Sequence, residues 1–201
     1  MPTPAEYDQD PGVKLMLAWQ AGDEGAFDEI VERYSGRVYS LLTRFLGQHP
    51  GREDLVQETF LRIVRARDRY KPTARFTTWL YRIVFNLSVN ETERSARRPQ
   101  LSLDRPPGQE ESGPMEVQDA RDPDPAGRLE TGDVVRAVRC AIAALPENQR
   151  MAVVLAKFDD LSYAEIGRVL DSSEKAVKSL IHRARETLRV QLAHFLEEDL
   201  L

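Results

Sequence analysis

The sequence has few of the features that support catalysis, metal binding or membrane insertion. Its single cysteine, Cys140, cannot form an internal disulfide, and the apolar run 138–145 around it predicts a buried small side chain. No run of about 18 apolar residues is present, so no membrane insertion is expected. The acidic N-terminal segment lacks the basic and apolar pattern of a signal peptide. Glycine-rich phosphate loops, zinc-ligand spacings and internal repeats are missing as well. These absences predict a cytoplasmic protein with no metal and no cofactor.

The charge is distributed in blocks along the chain. A net charge of −5 argues against a protein that coats nucleic acid indiscriminately. Residues 52–98 nevertheless hold eleven Lys and Arg against six Asp and Glu, and residues 172–189 hold five against two. Between them, residues 99–132 contain three basic and eight acidic residues together with six prolines and four glycines. This composition cannot bury enough apolar surface to fold alone, so it predicts a flexible acidic linker between two basic surfaces.

Apolar residues recur at helical spacing on both sides of this linker, and no strand pattern competes with them. We therefore expect an all-α fold of two small helical domains, residues 1–98 and 133–201, joined by the linker 99–132. The predicted helices are 13–21, 24–46, 52–67, 76–98, 133–145, 147–157 and the two helices of the segment 161–189. The apolar spacing places Val64 on the buried side of the helix 52–67, and it leaves Tyr81 outside the buried stripe of the helix 76–98.

The segment 161–189 has the layout of a helix-turn-helix. Ser162 and Glu165 form a capping box, Gly167 allows a partner helix to pack closely, and Asp171 begins the turn, where its side chain tolerates a left-handed backbone. Ser173 is a good N-cap for the second helix. That helix has an apolar stripe and a basic face, as expected of a helix that enters the major groove. The alternative is an ordinary surface helix with a solvated charged face.

Two further segments carry polar patterns without catalytic partners. The helix 52–67 presents a polar face that includes three carboxylates, yet no His or Cys accompanies them, so a docking face is favoured over a metal or acid–base site. The segment 76–98 interleaves aromatic residues with Arg and Asn, a pattern that suits single-stranded nucleic acid. Within it we assign Trp79 to the core, and Asn86 and the terminal arginines to function.

Four motifs in order resemble a bacterial extracytoplasmic-function (ECF) sigma factor of the sigma-70 family. They are EDLVQETFLRIVRA at 53–66, FTTWLYRIVFN at 76–86, LPENQRMAVVL at 145–155, and LSYAEIGRVL with AVKSLIHRARETL within 161–188. The resemblance covers nearly the whole chain outside the linker and implies two conserved regions, sigma region 2 as a helical bundle and sigma region 4 as a helix-turn-helix. It also implies a protein that is not an enzyme, that binds core RNA polymerase and promoter DNA, and that is held by an anti-sigma factor.

The resemblance assigns roles to three groups of residues. The face implied to bind core RNA polymerase, named the docking face below, is Asp54, Gln57, Glu58 and Arg62. The residues implied to bind and open the −10 element are Tyr70, Lys71, Arg75, Asn86, Asn90, Arg94 and Arg97. The face implied to bind the duplex −35 element, named the recognition face below, is Lys175, Lys178, Ser179, His182, Arg183 and Arg185.

Three other interpretations remain open from the residues themselves. An ordinary helix-turn-helix regulator would use residues 1–98 for sensing or dimerisation and would bind duplex DNA without polymerase. A mimic that sequesters a sigma-factor inhibitor would not need the basic helix. An enzyme is the weakest alternative, because the sequence shows no nucleophile–base or metal constellation.

Overall fold

The computed structural model describes residues 7–97 and 125–193, with the backbone alone for 125–133. The regular structure in these two ranges is entirely helical, which confirms the predicted all-α class. The elements in chain order are α1 (Pro11–Gln20), α2 (Gly25–Leu46), α3 (Arg52–Ala66), a 3-10 turn (Arg67–Arg69), α4 (Phe76–Arg97), α5 (Pro125–Ala143), α6 (Glu147–Phe158), α7 (Tyr163–Val169) and α8 (Glu174–Gln191).

Helix α5 departs from the predicted boundary of the linker. It begins at Pro125, whereas the sequence pattern suggested a start at Asp133. Proline at a first helical position has the φ angle that the helix needs and lacks an N–H that would go unpaired there. The rest of the predicted linker, residues 99–124, lies outside the described residues.

The N-terminal half is a four-helix bundle built around α2. Asp10 caps α1 by accepting hydrogen bonds from the backbone N–H groups of Gly12 and Val13 at 2.9 and 3.1 Å. Gly12 packs directly against Phe76, the first residue of α4. A Cβ at position 12 would lie 2.4 Å from the Phe76 ring, so a larger residue does not fit there. The buried face of α2 supplies the centre of the core with Ile30, Tyr34, Val38, Leu41, Leu42 and Phe45.

The C-terminal half contains the predicted helix-turn-helix, formed by α7 and α8, which pack on α6. The capping box is confirmed: Ser162 Oγ accepts from the Glu165 backbone N–H, and the Glu165 carboxylate accepts from the Ser162 backbone N–H at 2.9 Å. Ser173 caps α8 by accepting from the Ala176 N–H at 3.2 Å. Asp171 has the left-handed backbone expected of it, with φ of 51°.

The two halves pack directly on each other, mainly through α4 against α7 and α2 against α6. The Tyr81 hydroxyl donates to the Asp159 carboxylate at 2.7 Å, and Arg150 donates to the Phe45 carbonyl at 3.0 Å. At the other edge, Arg168 donates to the Tyr7 hydroxyl at 2.8 Å. The sequence pattern had placed Tyr81 outside the buried stripe of its helix, and this prediction is wrong because Tyr81 meets the C-terminal half.

Two more burial predictions are wrong. Cys140 is exposed, whereas the next residue of α5, Ala141, is buried. Val64, predicted to be buried, is 42% exposed, while Thr59 is fully buried in its helix. Thr59 can occupy the core because its hydroxyl donates to the Leu55 carbonyl at 2.7 Å, which satisfies its hydrogen-bonding group.

Candidate nucleic-acid interfaces and docking face

Helix α8 presents the recognition face to solvent. Val177, Ile181 and Ala184 are buried against the rest of the C-terminal half. The six predicted residues on the other sides of the helix are all exposed. Ser179 donates to the Lys175 carbonyl at 3.1 Å, and Arg183 donates to the Ser179 carbonyl at 3.3 Å. An exposed basic helix of this kind can enter a major groove without rearrangement of the turn before it.

The turn that aims α8 depends on the small size of Gly167. A Cβ at Gly167 would lie 2.6 Å from the Ser172 carbonyl oxygen, and the Ser172 N–H donates to the Gly167 carbonyl at 2.8 Å. The close neighbour of Gly167 is therefore the turn itself. The backbone N of Glu174, the first residue of α8, lies 3.6 Å from the same ideal Cβ, so the partner helix also packs close to Gly167, as predicted.

Helix α4 carries the second predicted nucleic-acid surface, named here the α4 stripe. Asn86, Asn90, Arg94 and Arg97 are exposed and follow one another at helical spacing, so they share one face. Arg82 lies four residues before Asn86 and continues this stripe, although it was not among the predicted site residues. The four-residue spacing from Arg82 to Asn86 is the sequence feature that could have identified Arg82. In the structure Arg82 pairs with Asp171 of the turn at 3.7 Å.

The loop before α4 brings only part of its predicted residues to the surface. Lys71 and Arg75 are exposed, and Arg75 pairs with Glu165 of the capping box at 3.3 Å. Tyr70 is buried, its ring packs edge-on against Trp79, and its burial raises the pKa of its hydroxyl. In this conformation Tyr70 offers no face to a base and instead anchors the loop.

The docking face occupies the outer side of α3. Asp54 and Gln57 are exposed, and Glu58 forms an ion pair with Arg62 at 3.0 Å. Two apolar side chains that the sequence analysis did not assign to this face lie exposed among these residues, Leu61 at 49% and Val64 at 42%. The sequence feature that could have assigned them to this face is the spacing of Gln57, Leu61 and Val64, which returns to the same side of the helix.

A groove of about 570 Å³ joins the docking face to the α4 stripe. Asp54, Glu58 and Arg62 line one side, and Asn90 and Arg94 line the other. No group of three or more His, Cys, Asp or Glu in the described ranges could hold a metal ion. Within those same ranges, no helix is long and apolar enough to cross a membrane. The side chains that line the groove carry both negative and positive charges.

Comparison with known proteins connects these surfaces. The protein family described as "Sigma-70 region 2" matches residues 30–98, and the family described as "Sigma-70, region 4" matches residues 135–188. The ECF RNA polymerase sigma factor SigW of Bacillus subtilis is 35% identical over 172 residues, which cover 85% of this chain and 91% of SigW. The chain belongs to the ECF RNA polymerase sigma factors.

As an ECF sigma factor, the chain is a transcription initiation factor, and its fold agrees with solved members. The structure of CnrH in complex with the cytosolic domain of CnrY aligns with a TM-score of 0.64 at 26% identity, covering 92% of this chain and 99% of CnrH. RpoE of Bartonella quintana, solved with the anti-sigma factor NepR, shares the fold with a TM-score of 0.63 at 20% identity, covering 83% of this chain and 96% of RpoE. In this sigma factor, the region 2 match contains the docking face and the α4 stripe, and the region 4 match contains the recognition face.

Proposed function

We propose that this ECF sigma factor binds core RNA polymerase through the docking face and directs it to promoters by contacts to the −10 and −35 elements. The observation that carries the proposal is the exposure of three distinct polar faces, each inside a matching sigma region. Residues 1–98 and 133–201 act as the two functional domains, with 99–132 between them. The protein performs no covalent chemistry itself.

The recognition face reads the −35 element from the major groove. Lys178, Ser179, His182 and Arg183 lie along the exposed side of α8 and contact base edges, where paired donors discriminate between base pairs. Lys175 and Arg185 contact phosphates and fix the register of the helix on the duplex.

The α4 stripe and the preceding loop bind the −10 element in its opened form. Taking a base out of the stack costs a few kcal/mol, which contacts to the extruded base offset. Asn86 supplies both a donor and an acceptor for a base edge. Lys71, Arg75, Arg94 and Arg97 hold the phosphates of the displaced strand.

Docking on polymerase makes the two DNA contacts cooperative. Each half offers only a few cations to phosphate, so each contact alone is weak and sensitive to salt. Once the docking face is bound to polymerase, the second DNA contact becomes intramolecular. The effective concentration of the DNA-binding face that makes this second contact therefore rises. Leu61 and Val64 supply apolar area at the centre of this docking contact, where truncation of a side chain has the largest effect.

We also propose that an anti-sigma factor controls the protein in the cytoplasm. CnrH is described with the cytosolic domain of CnrY, and RpoE with the anti-sigma factor NepR. An inhibitor that covers the docking face of this chain would prevent its assembly with polymerase.

Run-off transcription with core polymerase on a library of promoter fragments tests the proposal. We expect specific products with the wild-type chain and none with core polymerase alone. The double variant Lys178→Ala/Arg183→Ala should lose most of the product while retaining polymerase binding. Tight promoter-specific binding by the free chain in a gel shift, with no run-off product from any template, would instead support an ordinary helix-turn-helix regulator.

A further inference from the structure

The loop before α4, residues 70–75, is fastened at its start to the end of α1. Gln20, the last residue of α1, is half-buried, and its side-chain amide donates to the backbone carbonyls of Arg67 and Tyr70, to the latter at 3.1 Å. Arg67 opens the 3-10 turn, and Tyr70 follows directly after it. Backbone carbonyls are strong acceptors whose position follows the path of the chain. One amide group therefore fixes the place where the loop begins.

The side chain of Arg67 makes contacts in the opposite direction, from the turn to α1. Its Nε donates to the Trp19 carbonyl at 3.1 Å, and an Nη nitrogen donates to the Glu24 carboxylate at 2.8 Å. The guanidinium carbon also lies 4.6 Å from the centroid of the Trp19 ring, within the range of a cation–π contact. The Trp19 indole N–H donates to the second Glu24 oxygen at 3.1 Å. We name Trp19, Gln20, Glu24 and Arg67 together the loop clamp.

Helix α1 also contacts the residue that ends the loop. Gly12 packs directly on the ring of Phe76, which is fully buried and begins α4. Between these two points the Tyr70 ring packs on Trp79, with ring centroids 4.9 Å apart. The exposed part of the loop is therefore held at both ends by contacts to α1 and to the first turn of α4.

These contacts leave the loop side chain that is proposed to bind DNA outside the clamp. Lys71 is exposed, and the clamp reaches the loop through backbone carbonyls and not through Lys71. Selection of an extruded base requires contacting groups held within about 0.5 Å of their productive positions. A loop without the clamp would have to be ordered when DNA binds, at a cost in affinity and selectivity.

We propose that Gln20 and Arg67 are positioning residues for base selection at the −10 element. They fix the path of the loop 70–75, and with it the place at which Lys71 and Arg75 hold the phosphates of the opened strand. The inference rests on the function proposed above. Neither Gln20 nor Arg67 contacts DNA, and each acts through the backbone of the loop.

The variant Gln20→Glu tests the effect of the clamp on base selection. It keeps the size of the side chain but replaces the donor amide by a carboxylate that faces two carbonyls. The complex of the full chain with core polymerase is incubated with a library of random single-stranded DNA oligonucleotides, and the bound fraction is sequenced. We expect wild type to enrich a preferred base and Gln20→Glu to reduce this enrichment by about two- to tenfold, as for the loss of a hydrogen bond.

Selection from a duplex library through the recognition face should stay unchanged in Gln20→Glu, because that face lies on α8. Gln9→Glu is the matched control, since the Gln9 side-chain oxygen accepts from Lys14 at 2.8 Å and a carboxylate preserves this bond. Its single-strand enrichment should equal that of wild type. Equal enrichment by wild type and Gln20→Glu would overturn the proposal.

Hydrogen exchange of the free chain tests the clamp without polymerase or DNA. The Tyr70 N–H donates to the Arg67 carbonyl at 3.3 Å, and the Thr73 N–H donates to the Lys71 carbonyl at 2.9 Å. We expect both amides to exchange about two- to tenfold faster in Gln20→Glu. Arg67→Lys should act in the same direction, because an ammonium group lacks the fork that reaches two acceptors. Peptides from α6 and α8 should keep their exchange rates, which shows that the variants are folded.

The two measurements separate failure of the clamp from failure of the proposed function. Unchanged exchange of the loop amides in both variants would overturn the clamp, whatever the library result. If the wild-type complex enriches no base in the single-strand library, the proposed −10 function fails, and base selection through the clamp fails with it. The exchange data then still decide whether Gln20 and Arg67 hold the loop.

Discussion

The geometry of the helix-turn-helix depends on single residues, through their small size or their backbone conformation. At Gly167 a methyl group would press against the Ser172 carbonyl, which is backbone and cannot move aside easily. We expect Gly167→Ala to lower the free energy of unfolding by about 1–3 kcal/mol. Urea denaturation followed by far-UV circular dichroism measures the change.

Gly36 provides the matched control for this substitution. It lies inside α2, is exposed, and has no atom within 4 Å of its ideal Cβ. Gly36→Ala should raise the free energy of unfolding by about 0.5–1 kcal/mol, because alanine restricts the unfolded chain. Equal effects of the two substitutions would show that the close approach at Gly167 does not govern stability.

Glu165 gives the C-terminal half a pH dependence. Its partial burial acts to raise the pKa of the carboxyl, but the Ser162 hydrogen bonds and the charges of Arg75 and Arg168 outweigh burial and hold this pKa below 4.5. A lowered pKa in the folded state means that the unfolded state binds the proton more readily. The stabilising contribution is therefore full above about pH 4.5 and is lost as the pH falls through the lowered pKa.

The variant Glu165→Gln should flatten this part of the stability profile. We expect it to be less stable than wild type at neutral pH and to lose less stability on acidification below pH 4.5. Urea midpoints measured across the pH series test this expectation, with the exposed Glu32→Gln as the control. Parallel profiles for wild type and Glu165→Gln would refute it.

At the scale of the helix, α3 combines a charged face with exposed apolar side chains. Leu61 makes little contribution to the core, since it is 49% exposed, yet it lies among the residues proposed to dock polymerase. We expect Leu61→Ala to weaken binding to core polymerase by about tenfold with little change in unfolding free energy. Biolayer interferometry with immobilised core polymerase measures the affinity.

Leu17→Ala is the control for the docking helix. Leu17 is also exposed, at 36%, but belongs to α1. Its truncation should leave polymerase binding unchanged. If both variants bind as wild type does, the apolar part of the docking face has no role in assembly.

The elements also show which features were predictable from the sequence. The caps at Ser162 and Ser173 and the left-handed Asp171 were predictable because each depends on a few neighbouring residues. The burial of Tyr81 was not, because its partner Asp159 lies 78 positions away in the other half. The roles of the individual site residues remain proposals, although the faces that carry them are exposed.

Exposure of Cys140 and Val64 shows the same limit at the helix surface. Both residues belong to the apolar pattern of their helices, and hydrophobicity alone cannot tell which side of a helix meets a neighbour. The burial of Thr59 has a local reason, the bond to the Leu55 carbonyl, but the sequence does not reveal that this side faces the bundle. Tertiary packing determines whether these side chains are buried or exposed.

For the whole molecule, the packing of the two halves on each other and the binding of promoter DNA should respond differently to salt. The ion pairs Arg75–Glu165 and Arg82–Asp171 lie at the edge of the contact between the halves and have at least one exposed partner, so solvent screens them and each contributes about 0–1 kcal/mol to that contact. The bond from Tyr81 to Asp159 is shielded from solvent and is screened less. Promoter binding, by contrast, releases counterions and weakens steeply as salt rises.

We therefore expect the free chain to stay compact as the salt concentration increases about tenfold, while the promoter affinity of the polymerase complex falls by orders of magnitude. Small-angle scattering of the free chain and filter binding of the complex give the two curves. A radius of gyration that increases in step with the loss of DNA binding would mean that the exposed ion pairs hold the halves together. The Tyr81→Phe variant should then remain as compact as wild type at low salt, which separates the two explanations.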